Sequence, residues 1–282
     1  MIYGAKQTRV NEIIYTIGIL GTTMQLSFDI LDHIFSFVPR WTLAICSKDP
    51  ILSPIVEKHY YYHVTVCIKD DRWIDPLEFA PSQIAELVSE KPHIKNYTRV
   101  LQIENTVADY YGPKKPPPQI VMKQWDEFAK TLLTFPLLES IRFTTKFLTH
   151  WPAAFRAALG DRLKLPTVKE VQCHSGPFPF SLLSDCGNIK SLSLSNTDIS
   201  EDQVNISTFF QLESLALLGS FSSSPLLAWI KLQISELQSL RLQEGDFGLL
   251  SELLGLCSGT LKTLVIDFQC KLLTSLIAMI LQ

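Results

Sequence analysis

Apolar and polar positions recur in a fixed order through the second half of the chain. An apolar residue, two variable ones, then apolar-variable-apolar occurs at Ile189-Lys-Ser-Leu192-Ser-Leu194, Leu212-Glu-Ser-Leu215-Ala-Leu217, Leu237-Gln-Ser-Leu240-Arg-Leu242 and Leu261-Lys-Thr-Leu264-Val-Ile266. Their central leucines step by 23, 25 and 24 residues. Weaker copies precede them at Val168-Lys-Glu-Val171-Gln-Cys173, Leu138-Glu-Ser-Ile141-Arg-Phe143 and Thr98-Arg-Val-Leu101-Gln-Ile103, with steps of 21, 30 and 40. One such match carries little weight, because an amphipathic helix also produces it; four at near-constant spacing mark a repeat. The last three positions of each copy have the period of two of a strand, which buries the two apolar residues and turns the one between them outward.

Short apolar segments between the copies suit helical returns: Phe180 to Ser184, Pro225 to Ile230, Leu249 to Leu256 and Leu272 to Leu281. Pro225, following Ser224, fits a first helical turn. A unit of one strand and one helix cannot bury its own apolar face and is stabilised by stacking on its neighbours. The expected fold class is α/β, with an irregular leucine-rich-repeat solenoid over residues 67–282 whose curved parallel sheet carries outer helices. An all-helical bundle is the alternative, and it leaves the recurrence unexplained. Residues 105–119 interrupt the order. Within them Tyr110-Tyr-Gly-Pro-Lys-Lys-Pro-Pro-Pro118 holds neither helix nor interior strand, since consecutive prolines remove donors and fix φ, so the segment reads as a Pro-rich insertion loop.

Ahead of the repeats, Leu26 to Val38 predicts one amphipathic helix. Ser27 can cap it, Asp29 suits its first turn, Ile30, Leu31, Ile34, Phe35 and Val38 form the apolar stripe, and Pro39 ends it. Further helices are expected over Thr42 to Cys46 and from Ser53 to about Tyr62, then a strand over Val64 to Ile68. Residues 24–66 thus form a small helical module, and residues 1–23 an extension expected to be poorly ordered or loosely packed. Three short helices are marginal alone, so the module should pack on the repeats or on a partner.

The stretch Leu26 to Val66 resembles an F-box, the adaptor-binding motif of SCF-type ubiquitin ligases, and is especially similar to that of basidiomycete F-box/leucine-rich-repeat proteins, which opens L-P-x-E/D-I/L-L-x-x-I-F-x-x-L. The match carries Leu26, Asp29, Ile30, Leu31, Ile34, Phe35 and Val38, then Leu43-Ala-Ile-Cys46-Ser47, and Ser53-Pro54 through His59-Tyr-Tyr-Tyr-His63-Val-Thr-Val66. Ser27 stands where the family has proline, and Ser47 to Leu52 replaces a segment that normally ends in tryptophan. The resemblance implies a non-catalytic substrate receptor without cofactor: the F-box docks on a Skp-family adaptor, a cullin and RING subunit follow, and the repeats hold a protein for ubiquitination by proximity. An exposed apolar stripe marks an interface, which nominates Leu26, Ile30, Ile34, Phe35 and Leu43 for the adaptor, with Leu31 and Val38 closing the module's own core. Strand alternation nominates Arg142, Gln172, His174, Ser193, Ser195, Leu218, Arg241 and Gln243 for the substrate, beside Gln102, Glu104, Thr144, Ala216, Val265 and Asp267. Arg142, His174 and Arg241 could engage acid or phosphate, although solvated strand charges are the commoner account of such residues.

Composition narrows the classes. Of 282 residues 46% are hydrophobic and 19% charged, which excludes a disordered or collagen-like chain. Leucine accounts for 41, of which 25 fall in the span from Leu182 onward, so the excess belongs to the repeats. A net charge of -3 gives no footprint for nucleic acid or an anionic membrane, and no apolar run reaches a membrane span. Ile13 to Leu20 follows Lys6 and Arg9 as a secretory signal would, but Glu12 abuts it and no A-x-A-like site follows. Six cysteines show no C-x-x-C pair and read as buried thiols of a cytoplasmic or nuclear protein. No G-x-S-x-G, G-x-x-x-x-G-K-S/T, H-E-x-x-H or G-x-G-x-x-G motif occurs, and no metal site is expected. His59 and His63 have the spacing to share a helix face, with no third ligand nearby. Two other classes compete: a ligase-independent scaffold with a degenerate F-box, and a secreted repeat receptor with oxidised cysteine pairs.

Overall fold

The run Ile13-Ile-Tyr-Thr-Ile17 is β-branched and aromatic, which favours a strand. In the computed structural model, which describes residues 4–9, 12–19, 22–68, 77–105, 119–145, 152–176, 180–183, 186–197, 211–219, 230–243 and 247–267, it forms the middle of an antiparallel sheet. Strands β1 (Gly4–Arg9), β2 (Glu12–Ile19) and β3 (Thr22–Ser27) pair in that order. This sheet includes residues of the extension over 1–23 that the sequence reads as poorly ordered or loosely packed. It also takes Leu26, expected at the head of a helix, into β3.

Helix α1 (Phe28–Ser36) therefore starts two residues later than its apolar pattern, and Ser27 caps it by accepting from the Ile30 N–H at 3.4 Å. Leu31 and Phe35, four apart, share its buried face. Pro39 precedes α2 (Arg40–Cys46), and Pro54 sits in the first turn of α3 (Ser53–Tyr60), where a missing N–H costs nothing. The three helices end where the chain enters β4 (His63–Ile68).

All seven copies of the repeat pattern become strands. After β5 (Glu78–Phe79) and helix α4 (Pro81–Glu90) come β6 (Val100–Asn105), helix α5 (Gln119–Leu132), β7 (Ser140–Thr145), helix α6 (Ala153–Leu163) and β8 (Glu170–His174). The regular copies give β9 (Ser191–Ser195), β10 (Ser214–Leu218), β11 (Ser239–Gln243) and, after helix α7 (Phe247–Cys257), β12 (Thr263–Asp267). The nine strands β4 to β12 form one parallel sheet, in chain order except that β5 lies outside β4. The early steps of 40 and 30 residues carry α5 and α6, of 14 and 11 residues, and the longer step also spans the Pro-rich stretch 106–118.

Pairing is in phase throughout: Leu101, Ile141, Val171, Leu192, Leu215, Leu240 and Leu264 lie side by side. The apolar row packs against the helices, where Trp125, Phe128 and Phe155 are fully buried and in ring contact. One continuous core runs from Leu31 in α1 to Cys257 in α7, so the N-terminal helices and the sheet share an interior. Cys67, Cys173, Cys186 and Cys257 are buried in the fold and Cys46 half-buried, each as a thiol outside any disulfide. The Pro-rich stretch 106–118, Pro225 and the segment Leu272 to Leu281 lie outside the described residues. Among those described, no helix is long and apolar enough to cross a membrane.

Candidate functional site

Two surfaces stand out, and the first is built by α1 and α2. Burying Leu31 and Phe35 forces the other side of α1 outward, leaving Ile30 at 49% and Ile34 at 42% exposed. Phe28 opens the same helix, and Phe37, Trp41 and Ile45 continue the apolar surface at 76%, 60% and 62% exposure. Asp32 pins α1 to α3 by ion pairs with Lys58 at 2.9 Å and His59 at 2.8 Å. Burial works against that carboxylate, yet the two hydrogen bonds and two charges outweigh it and hold its pKa below the ordinary value.

Of the five residues expected to face an adaptor, Ile30 and Ile34 present exposed side chains. Phe35 and Leu43 are buried at 8% and 4% exposure and belong to the core, because α1 and α2 each turn one apolar side onto α3. Leu26 lies in β3 rather than on the helix. Leu31 closes the core as expected, and Val38 packs against it half-buried. Sequence reasoning missed Phe28, Phe37, Trp41 and Ile45. The i,i+4 pair Trp41 and Ile45 was the available signal, hidden by starting the second helix at Thr42.

The second surface is the sheet face opposite the helices. Arg142, Gln172, Ser193 and Arg241 occupy one row with Thr65, Gln102, Ala216 and Val265; His174, Ser195, Leu218 and Gln243 occupy the next with Glu104, Thr144 and Asp267. The structure thus brings all eight nominated substrate residues onto one face. Their availability differs. Arg241 and His174 are exposed, whereas Ser195 is buried and accepts at its carbonyl from the Ser175 N–H, in the turn after β8, at 2.8 Å. Arg142 is held by Glu170 at 3.5 Å, and Arg241 by Asp267 at 2.7 Å, so both guanidinium groups are internally paired. Gln172 donates to Glu170 at 2.8 Å. Burial raises the Glu170 carboxyl, but hydrogen bonds from Ser140, Gln172 and Arg142 together with the Arg142 charge leave it below the usual range.

The N-terminal helices border this face at β4. Arg40 donates to the Thr65 hydroxyl at 3.3 Å and lies over the Tyr60 ring, 5.5 Å from its centroid. His63 Nε2 sits 3.1 Å from Gln102 Oε1, and Gln102 donates to Glu104 at 2.6 Å. Burial, then the charges of Arg40 and Arg142, push the His63 pKa down. His59 and His63 do not share a helix face: α3 ends at Tyr60, which leaves His59 on Asp32 and His63 on the sheet. Three strands also bring together the thiol of Cys67 and the carboxylates of Glu78 and Glu104, whose potential ligand atoms all lie within 4.8 Å of one another. Glu104 already accepts from Gln102, and Cys67 and Glu78 are engaged in other interactions.

No protein-family model matches the chain, and comparison with curated proteins gives no match.

Proposed function

We propose that this chain is the substrate-recognition subunit of an SCF-type ubiquitin ligase, an F-box/leucine-rich-repeat receptor of the cytoplasm or nucleus. In this reading α1 to α3 dock on a Skp-family adaptor, through which cullin and RING subunits are recruited, and the sheet face holds a protein substrate. The chain itself makes and breaks no bond; it raises the effective concentration of substrate at the conjugating enzyme. The observation that carries the reading is the apolar surface of Phe28, Ile30, Ile34, Phe37, Trp41 and Ile45 beside a parallel sheet whose strands β9 to β12 step by 23 to 25 residues. Large apolar side chains in this density are characteristic of a protein interface, and each contributes about 1.5–3 kcal/mol when fully covered.

The test is capture of a Skp-family adaptor by the full chain. Ile34→Asp places a charge in the middle of the surface without touching the core, so adaptor capture should be lost while circular dichroism stays unchanged. Retained capture overturns the assignment. Absence of capture by the unaltered chain would leave the sheet as a ligase-independent interaction scaffold, the reading favoured by the altered segment Ser47 to Leu52.

A further inference from the structure

We draw no further inference here: the strongest candidate, the side-chain cluster of Cys67 on β4, Glu78 on β5 and Glu104 on β6 at the first end of the parallel sheet, joins two carboxylates to a single thiol that all have other partners, and nothing else among the described residues points to an ion held between them.

Discussion

At Gly219 the backbone takes a φ of +103°, and an added Cβ would lie 2.2 Å from the Asn196 side-chain oxygen. Asn196 itself is left-handed at φ 47°, and its N–H donates to the Leu218 carbonyl, so the turns after β9 and β10 lock one another. Gly219→Ala should cost about 1–3 kcal/mol, the range for strained backbone. Gly187→Ala, with nothing within 4 Å of its added Cβ, should change stability by less than about 0.5 kcal/mol. Denaturant titration of the two variants measures the contrast. Glu57 is a second decisive residue. It is 6% exposed on α3, yet it takes Lys91, His93 at 2.9 Å and Ser53 as partners, tying the N-terminal helices to the 3-10 turn Pro92–Asn96. Burial raises its pKa, and the bonds from Lys91 and His93, the Lys91 charge and the Ser53 bond more than reverse this, leaving the folded value below 4.5. A depressed carboxylate stabilises the fold above its unfolded pKa and loses that contribution as pH falls through the folded value. Glu57→Gln should therefore lower stability by about 1–2 kcal/mol at pH 7, with the gap to the unaltered chain narrowing as pH falls from the ordinary glutamate value through the lower folded one. A gap that does not change with pH would assign the effect to packing instead.

The helices α1 and α2 divide their apolar residues into two populations that a sequence pattern does not separate. Leu43 is buried and Trp41, two residues earlier, is 60% exposed. Leu43→Ala leaves a cavity and should cost about 2–5 kcal/mol of stability. Trp41→Ala should leave stability within about 0.5 kcal/mol and weaken adaptor capture about tenfold, the equivalent of about 1.4 kcal/mol. Thermal melts and a binding isotherm on both variants distinguish the roles; a Trp41→Ala variant that melts early and binds normally would exchange them. The strands were legible because alternation survives whatever packs above it: Val171-Gln-Cys173 and Leu240-Arg-Leu242 read alike and fold alike. The helix faces were less so. A stripe of Ile30, Leu31, Ile34 and Phe35 spans both sides of a boundary that only the position of α3 fixes, and the reading assigned Phe35 and Leu43 to the wrong side of it. The strands β1 to β3 and the two-residue β5 escaped because no repeat supports them, and the trio Cys67, Glu78 and Glu104 because each member sits on a different strand.

Across the whole molecule, stability passes between neighbouring layers. Each strand of the nine pairs only with its immediate neighbours in the sheet, which in a long stack lets the ends unfold separately. Here two features oppose that separation. The core is continuous from Leu31 to Cys257, and its widest part lies in the early units, where Trp125 and Phe155 meet at 4.4 Å and Phe128 and Phe155 at 5.8 Å between ring centroids. The N-terminal helices lean on those units through Ile55, Val56 and Tyr60, all part of the same core. The Glu57 ion pairs at that junction contribute little beside the burial of the three apolar side chains, about 1.5–3 kcal/mol each. The helices and the sheet should therefore melt together. Ile55→Ala in α3 and Leu215→Ala in β10, both at most 1% exposed, each remove about 2–5 kcal/mol of packing, which for a chain of this size lowers Tm by about 5–15 °C. Calorimetry should show one transition in both variants, shifted by comparable amounts. Two resolved transitions, with Ile55→Ala moving one and Leu215→Ala the other, would mean that the shared core does not couple the helices to the far strands, and that a partner bound at α1 and α2 leaves the sheet face energetically untouched.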